Sequence, residues 1–153
     1  LIDSAKLLLT AYATTTTTVP TVIRGEDTAS ATAFSTGTDF SSRHRTTDSV
    51  IWNLDSTSAW TADEIVTTPN IAAVIQHIIN RPDWSSGNAI VLFIENNGAG
   101  WGVLRRVYAR EAGQPDRTAK LVIWYGGGPP QPRRSFRRRR LLRAAEHESS
   151  DQG

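Results

Sequence analysis

The side chains able to do chemistry are few and scattered. His44, His77 and His147 are the three histidines of the 153-residue chain, and none stands at the HExxH spacing of a helical metal site. There is no cysteine, which excludes thiolate nucleophiles, thiolate metal sites and disulfides. No serine lies in a GxSxG setting, so nucleophilic catalysis has no sequence signature. Two adjacent acidic pairs, Glu26 with Asp27 and Asp63 with Glu64, offer carboxylates for acid–base work or oxygen ligands for calcium. Each pair also has a structural reading. Asp63 and Glu64 come shortly before a helix signal, whose N-terminal end favours negative charge. Glu26 and Asp27 follow a strand signal and Gly25, and an ion pair from Glu26 to Arg43 or Arg45 is expected to lock the fold. Gly98, Gly100 and Gly102 give GxGxG between two strand signals; without a helix N-terminus this is a hairpin loop, not a phosphate cradle. No catalytic residue, resident metal or cofactor is assigned, calcium being the one ion that the acidic pairs leave open.

Aromatic side chains carry more weight, because five tryptophans is a high number for this length. Sugar-binding modules stack pyranose rings on exposed indoles, while buried indoles simply pack. Trp52 follows Val50 and Ile51 in an apolar run and is expected in the core. Trp84, in the turn after the helix signal, is expected to pack back on the helix end. Trp60 and Trp101 sit among Ser, Thr, Gly and Asn, the polar company that sugar hydroxyls use. Trp124 shares a strand face with Lys120. Trp60, Trp101, Tyr108 and Trp124 are therefore the candidate ligand platform.

The elements that must position these residues centre on residues 68–94, TPNIAAVIQHIINRPDWSSGNAIVLFI. Ile71, Val74, Ile75, Ile78 and Ile79 follow the i, i+3, i+4, i+7, i+8 spacing of one helix stripe. With Thr68 as the N-cap and Pro69 at the first helical position, a helix over about 69–80 is expected. His77 falls on its polar side and reads as a solvated helix residue. Pro82 ends the helix, and Ala89 to Ile94 run apolar as a strand covered on both faces would. Further strands are expected at Ala5 to Tyr12, Val19 to Arg24, Ser49 to Leu54 and Ala119 to Tyr125, with Pro20 at an edge or a strand start. Ile90 to Glu95 and Gly102 to Arg110 read as hairpin partners. Thr28 to Thr38 reads as irregular surface anchored by Phe34. Six or more short strands with one amphipathic helix imply a mainly-β fold, a jelly-roll-like antiparallel β-sandwich, with the helix plugging an open end or covering a sheet edge.

Charge divides the chain. Residues 1–127 carry 10 basic and 12 acidic side chains, whereas residues 128–153 carry 7 arginines and 3 acidic residues. The net charge of +2 thus hides a mildly acidic domain over 1–125 and a basic end. The Gly/Pro linker and Arg-rich stretch over 126–153 read as a disordered tail, able to hold phosphates non-specifically in low salt. Nucleic acid is expected only there. No segment is long and apolar enough for a membrane span or a signal sequence, so no membrane insertion is expected. The chain has no methionine and opens on Leu1, which reads as a processed product or a fragment of a longer protein.

Five stretches in order, RGEDTASATAF, SSRHRTTDSVIWNL, the 68–94 segment, LRRVYARE and AKLVIWY, resemble an uncharacterised β-sandwich module of bacterial secreted and cell-surface proteins that also occurs in phage structural proteins. That module is loosely similar to the DNRLRE-type, carbohydrate-binding-like modules of large extracellular proteins. The resemblance covers residues 1–125 and is most specific around the helix and RPDWSSGNA. It implies a non-catalytic surface role, a further strand or two before Leu1, and an Arg-rich end foreign to the pattern. The expected function is an extracellular or virion-surface accessory module for carbohydrate binding or adhesion, with polysaccharide or surface glycan and neighbouring domains of a larger parent as partners. The alternative is a structural or assembly module of a phage virion or cell-surface protein without a glycan ligand.

Overall fold

The computed structural model describes residues 1–126 of the chain. Six strands form two antiparallel sheets of three. β1 (Ile2–Thr10) is flanked by β4 (Ile65–Thr67) and β6 (Lys120–Tyr125), and β2 (Val19–Glu26) by β3 (Arg45–Leu54) and β5 (Leu92–Asn96). A short helix, α1 (Gly37–Ser42), precedes β3, and α2 (Ala72–Ile79) follows β4. Helix α2 packs on β1 of one sheet and on β2 and β3 of the other, so it joins the two sheets. The mainly-β two-sheet class expected from the short, turn-separated strands is the fold observed. The Gly/Pro linker and Arg-rich end from residue 127 onward, and His147 with them, lie outside the described residues.

The stripe on α2 explains the core. Ile71, Val74, Ile75 and Ile78 are all but completely buried, and Ile79 is partly so. Ile71 and Ile75 meet Ala5, Leu9 and Val66 from one sheet and Ile23, Trp52 and Leu54 from the other in a single apolar cluster. Period-2 alternation supplies these residues: Ala5, Leu7 and Leu9 share one face of β1, and Val50, Trp52 and Leu54 share one face of β3.

The close approach of α2 to β2 depends on Gly25. A β-carbon there would lie 2.6 Å from Ile78 Cδ1 and 3.3 Å from both Thr46 Cγ2 and Val74 Cγ1. At the same point the β2–β3 ladder is irregular. Pairing passes from Arg24 with Ser49 to Glu26 with Arg45, so β3 carries two extra residues. The Gly25 N–H donates instead to Thr46 Oγ1 at 3.0 Å, and that hydroxyl donates to the Asp48 carbonyl at 2.8 Å. Thr46 thereby satisfies a backbone donor that the bulge would orphan in the interior.

Three expectations need correcting. The helix begins at Ala72 and not at 69, and Thr68 does not cap it. Thr68 and Ile71 donate their N–H groups to the Leu7 and Ala5 carbonyls at 3.0 and 2.8 Å, continuing the β4 ladder along β1. The Thr68 hydroxyl accepts from Leu7 N at 3.0 Å; Ile71 is the N-cap without a side-chain cap bond, and Asn70 Oδ1 just ahead of it accepts from Ala72 N at 3.0 Å and Ala5 N at 2.9 Å. Second, residues 102–110 are not the hairpin partner of β5, which pairs with β2 alone. They cross to the other sheet, where Tyr12 N donates to the Arg106 carbonyl and Tyr108 N to the Thr10 carbonyl. Third, β3 starts at Arg45, four residues before the expected strand, because the bulge hides its first part from a period-2 reading. Neither α1 nor the three-residue β4 was expected.

Gly25→Ala is expected to destabilise the fold by about 1–3 kcal/mol, because the buried Ile78 and Val74 must shift within the core to admit the methyl group. Equilibrium urea unfolding with an unchanged slope checks this.

Candidate functional site

The four aromatic candidates meet different fates. Trp60 is 5% exposed and cannot serve as an open platform. Reciprocal hydrogen bonds with Thr15, at 3.0 and 2.9 Å, hold its backbone and turn the indole inward, where it lies 6.1 Å from Trp52. The Arg105 guanidinium covers it at 5.1 Å. Tyr108 is also engaged. Tyr12 meets it edge-on at 5.2 Å, Arg117 lies 4.8 Å from its ring, and its hydroxyl donates to Asp63 Oδ1 at 3.1 Å while accepting from Arg117. Trp124 is half-buried on the outer face of its sheet, opposite Ser4, one step from the Lys6–Val122 pair and two from the Leu8–Lys120 pair on that face. Trp101 is fully exposed, at 105% of its reference area, in a turn closed by Gly98 and Gly102 with φ of +96° and +80°. Of the four, Trp101 and Trp124 present indole surface to solvent, one on the loop leaving β5 and the other within β6.

The residues assigned structural roles are held as pairs. Arg43 donates to Glu26 Oε2 at 2.8 Å with both side chains nearly buried, and also to Asp39 at 3.0 Å. Arg45 does not go to Glu26. Its Nε and Nη2 both reach Glu95 Oε1, at 3.0 and 2.9 Å. The two guanidinium groups stack on rings, Arg43 at 4.0 Å from Phe34 and Arg45 at 3.7 Å from Phe93. Phe34, Phe40 and Phe93 pack edge-on or tilted against one another, so the loop before β3 seals the outer face of the β3-β2-β5 sheet. Trp52 is core. Trp84 is half-buried, lines an apolar groove with Ile75 and Ile79, and its indole N–H is sealed from water without a hydrogen-bond partner.

One polar site was not foreseen. A groove of about 560 Å³ beside α2 is lined by Asp27, Asp48, Gln76, His77, Asn80 and Arg81. The β3 bulge re-aims Asp48 so that its carboxylate lies 2.7 Å from His77 Nδ1, while Asp27 stands 3.6 Å from His77 Nε2. Arg81 bridges Asp27 and Asp83, which raises its own pKa and lowers that of Asp83. Gln76 accepts from Ile2 N at 2.8 Å and donates to Asn80 Oδ1 at 2.7 Å. Most of the polar groups thus answer one another, and the network ties α2 to the ends of β1, β2 and the bulge. His77 reads as a solvated helix residue from its spacing alone. What made it a site is a register irregularity 29 residues away in sequence, for which the chain carries no local signal.

The acidic pairs do not combine. Glu26 serves Arg43 and Asp27 serves Arg81, whereas Asp63 faces Tyr108 and Arg117, and Glu64 accepts from Thr61 N at 2.8 Å. Asp63 alone among non-glycine described residues has positive φ, at 67°. Among the described residues no group of three or more His, Cys, Asp or Glu is placed to hold a metal ion, and no helix is long and apolar enough to cross a membrane. No protein-family model matches the chain, and no curated protein or solved structure matches it.

Asp39 gives a pH test of the Arg43 lock. Hydrogen bonds from Arg43 and from the Ser35 N–H hold its pKa at about 2, against an ordinary 3.8. A depressed carboxylate pKa stabilises the fold above the ordinary value and loses that contribution as pH falls towards the folded one. The melting-temperature advantage of the native chain over Asp39→Asn is therefore expected to shrink as pH falls from about 4 to about 2. An advantage unchanged across that window, followed by circular dichroism, contradicts the assignment.

Proposed function

We propose that the chain is a non-catalytic accessory module of an extracellular or virion-surface protein, acting as a carbohydrate-binding or adhesion domain. The observation that carries this reading is Trp101. A turn that Gly98 and Gly102 make possible holds out an indole exposed over its whole area, and such a surface suits the apolar face of a sugar ring. Asn96 and Asn97 at the start of the same loop supply polar company of the kind hydroxyls use. Trp124, diagonal to Lys6 on the outer face of the β4-β1-β6 sheet, is a second surface of the same chemistry. The non-catalytic part of the reading is supported by the charged side chains, whose carboxylates, guanidiniums and imidazole are largely committed to one another.

A second reading, a structural or assembly module without a glycan ligand, is favoured by β6, which leaves one backbone edge of its sheet unpaired among the described residues.

Glycan arrays followed by affinity electrophoresis in soluble polysaccharides distinguish the two. The glycan reading expects Trp101→Ala to weaken binding by about 2 kcal/mol, roughly thirtyfold, as loss of a central aromatic contact does. The same substitution is expected to leave the melting temperature unchanged, since the indole is exposed over its whole area. Absence of binding to any glycan by the native chain, or full binding by both Trp101→Ala and Trp124→Ala, rejects the glycan reading.

A further inference from the structure

The two sheets have four edge strands, and three of them are blunted against pairing. β4 is three residues long. β3 is broken by the bulge before Ser49 and carries Asp48 and Asn53 along its length. β5 is five residues, holds the charged Glu95, and runs straight into the turn that Asn96 closes by accepting from Ala99 N. Short edges, bulges and charges are the ordinary means by which sheets avoid edge-to-edge contact. β6 has none of them. It is six residues long, KLVIWY, with its single charge at the first position, no proline, and an uncharged β-prone run from Leu121 to Tyr125. Its pairing with β1 proceeds one residue at a time from Lys120 to Trp124. In an antiparallel pair every second residue directs its N–H and C=O to the far side. On that side no described residue hydrogen-bonds to β6.

We propose that β6 is a self-association edge, at which two copies of the chain pair antiparallel about a two-fold axis through Ile123, joining two three-stranded sheets into one of six strands. This register keeps the core-side faces of both copies on the same side. It sets Ile123 opposite Ile123, Leu121 opposite Tyr125 and Val122 opposite Trp124. Leu121 and Tyr125 lie on the core-side face, yet they are 38% and 73% exposed, because the sheet ends before covering them. The pairing covers each with the other, as cross-strand aromatic–aliphatic pairs do. Lys120 falls opposite Gly126, so the two lysines stand at opposite ends and no like charges meet. Ile123 and Tyr125 also border an apolar groove of about 480 Å³ with Ile2, Ile79 and Trp84, so the partner strand arrives beside further apolar surface. The edge self-complements without a glycan, and the inference stands or falls independently of the glycan reading.

Sedimentation velocity on the full chain over a wide concentration range tests it. A monomer–dimer equilibrium is expected, and Tyr125→Lys and Leu121→Lys are each expected to raise the dissociation constant at least about tenfold, since each acts twice across the axis. Tyr125 is exposed enough for Tyr125→Lys to keep the native melting temperature, and that variant decides the matter if Leu121→Lys does not fold. Hydrogen exchange supplies the second readout: β6 amide protection should rise with protein concentration in the native chain and not in Tyr125→Lys. A native chain that stays monomeric at every concentration overturns the proposal. So does a dimer of native affinity in Tyr125→Lys. β6 protection independent of concentration also overturns it, since the edge would then be covered within one chain.

Discussion

The structure depends on α2 lying directly against the backbone of β2, with only Gly25 between them. Two three-stranded sheets have too little apolar face to bury each other unaided, and the helix supplies the shared surface. Ile71 and Ile75 join the residues of both sheets, and Val74 and Ile78 reach Gly25 from the other side of the same stripe. A β-carbon at position 25 would force Ile78, and to a lesser degree Val74 and Thr46, to shift where the helix meets β2. The glycine in turn needs the bulge, because the N–H it brings inside must be accepted by something, and Thr46 is placed there by the extra residues of β3. Helix seat, glycine and bulge form one constraint.

The polar site follows from that constraint without being required by it. Once β3 bulges to bring Thr46 over Gly25, Asp48 is carried to the helix and meets His77. Arg81 at the end of α2 then reaches Asp27, just past the end of β2. The groove is thus a by-product of how the helix is seated, and its polar groups are arranged to hold the helix in place. Recognition is better sought where side chains have no internal duty. Trp101 is the extreme case, an indole fully exposed on a turn that two positive-φ glycines make possible.

Much of the fold could be read from the chain because periodicity reports burial, and burial is what the helix and the longer strands were built for. The stripe Ile71, Val74, Ile75, Ile78 and Ile79, the runs around Val50 to Leu54 and Leu121 to Tyr125, and the Glu26–Arg43 pair all carry a signal of their own. What could not be read depends on partners distant in sequence. Thr68 has the look of a helix cap, but β1 was near enough to claim both its N–H and its hydroxyl. Residues 102–110 follow a glycine-rich turn as a hairpin partner would, but the Arg105 guanidinium is held by carbonyls of other loops, which carries the segment away from β5. Trp60 sits in polar company like Trp101, and only its bridge to Thr15 distinguishes a core indole from a surface one. Loop tryptophans separate into buried and exposed by contacts that no local pattern encodes.

Arg105 has a consequence for how this end of the molecule can vary. Its guanidinium donates to the carbonyls of Thr17, Asp55 and Ser58 while its face covers Trp60, and burial lowers its pKa without displacing the charge. Two connections, between β1 and β2 and between β3 and β4, are thus anchored through main-chain atoms to one side chain on the segment after β5. Main-chain carbonyls are present whatever the residue type, so the sequence of these loops is free to drift while their path is not. Lengthening either of them moves an acceptor away from a half-buried cation. Diversification of those two loops is therefore confined to substitution at constant length, whereas the turn bearing Trp101, ahead of Arg105 on the segment after β5, supplies no acceptor to it and can take insertions.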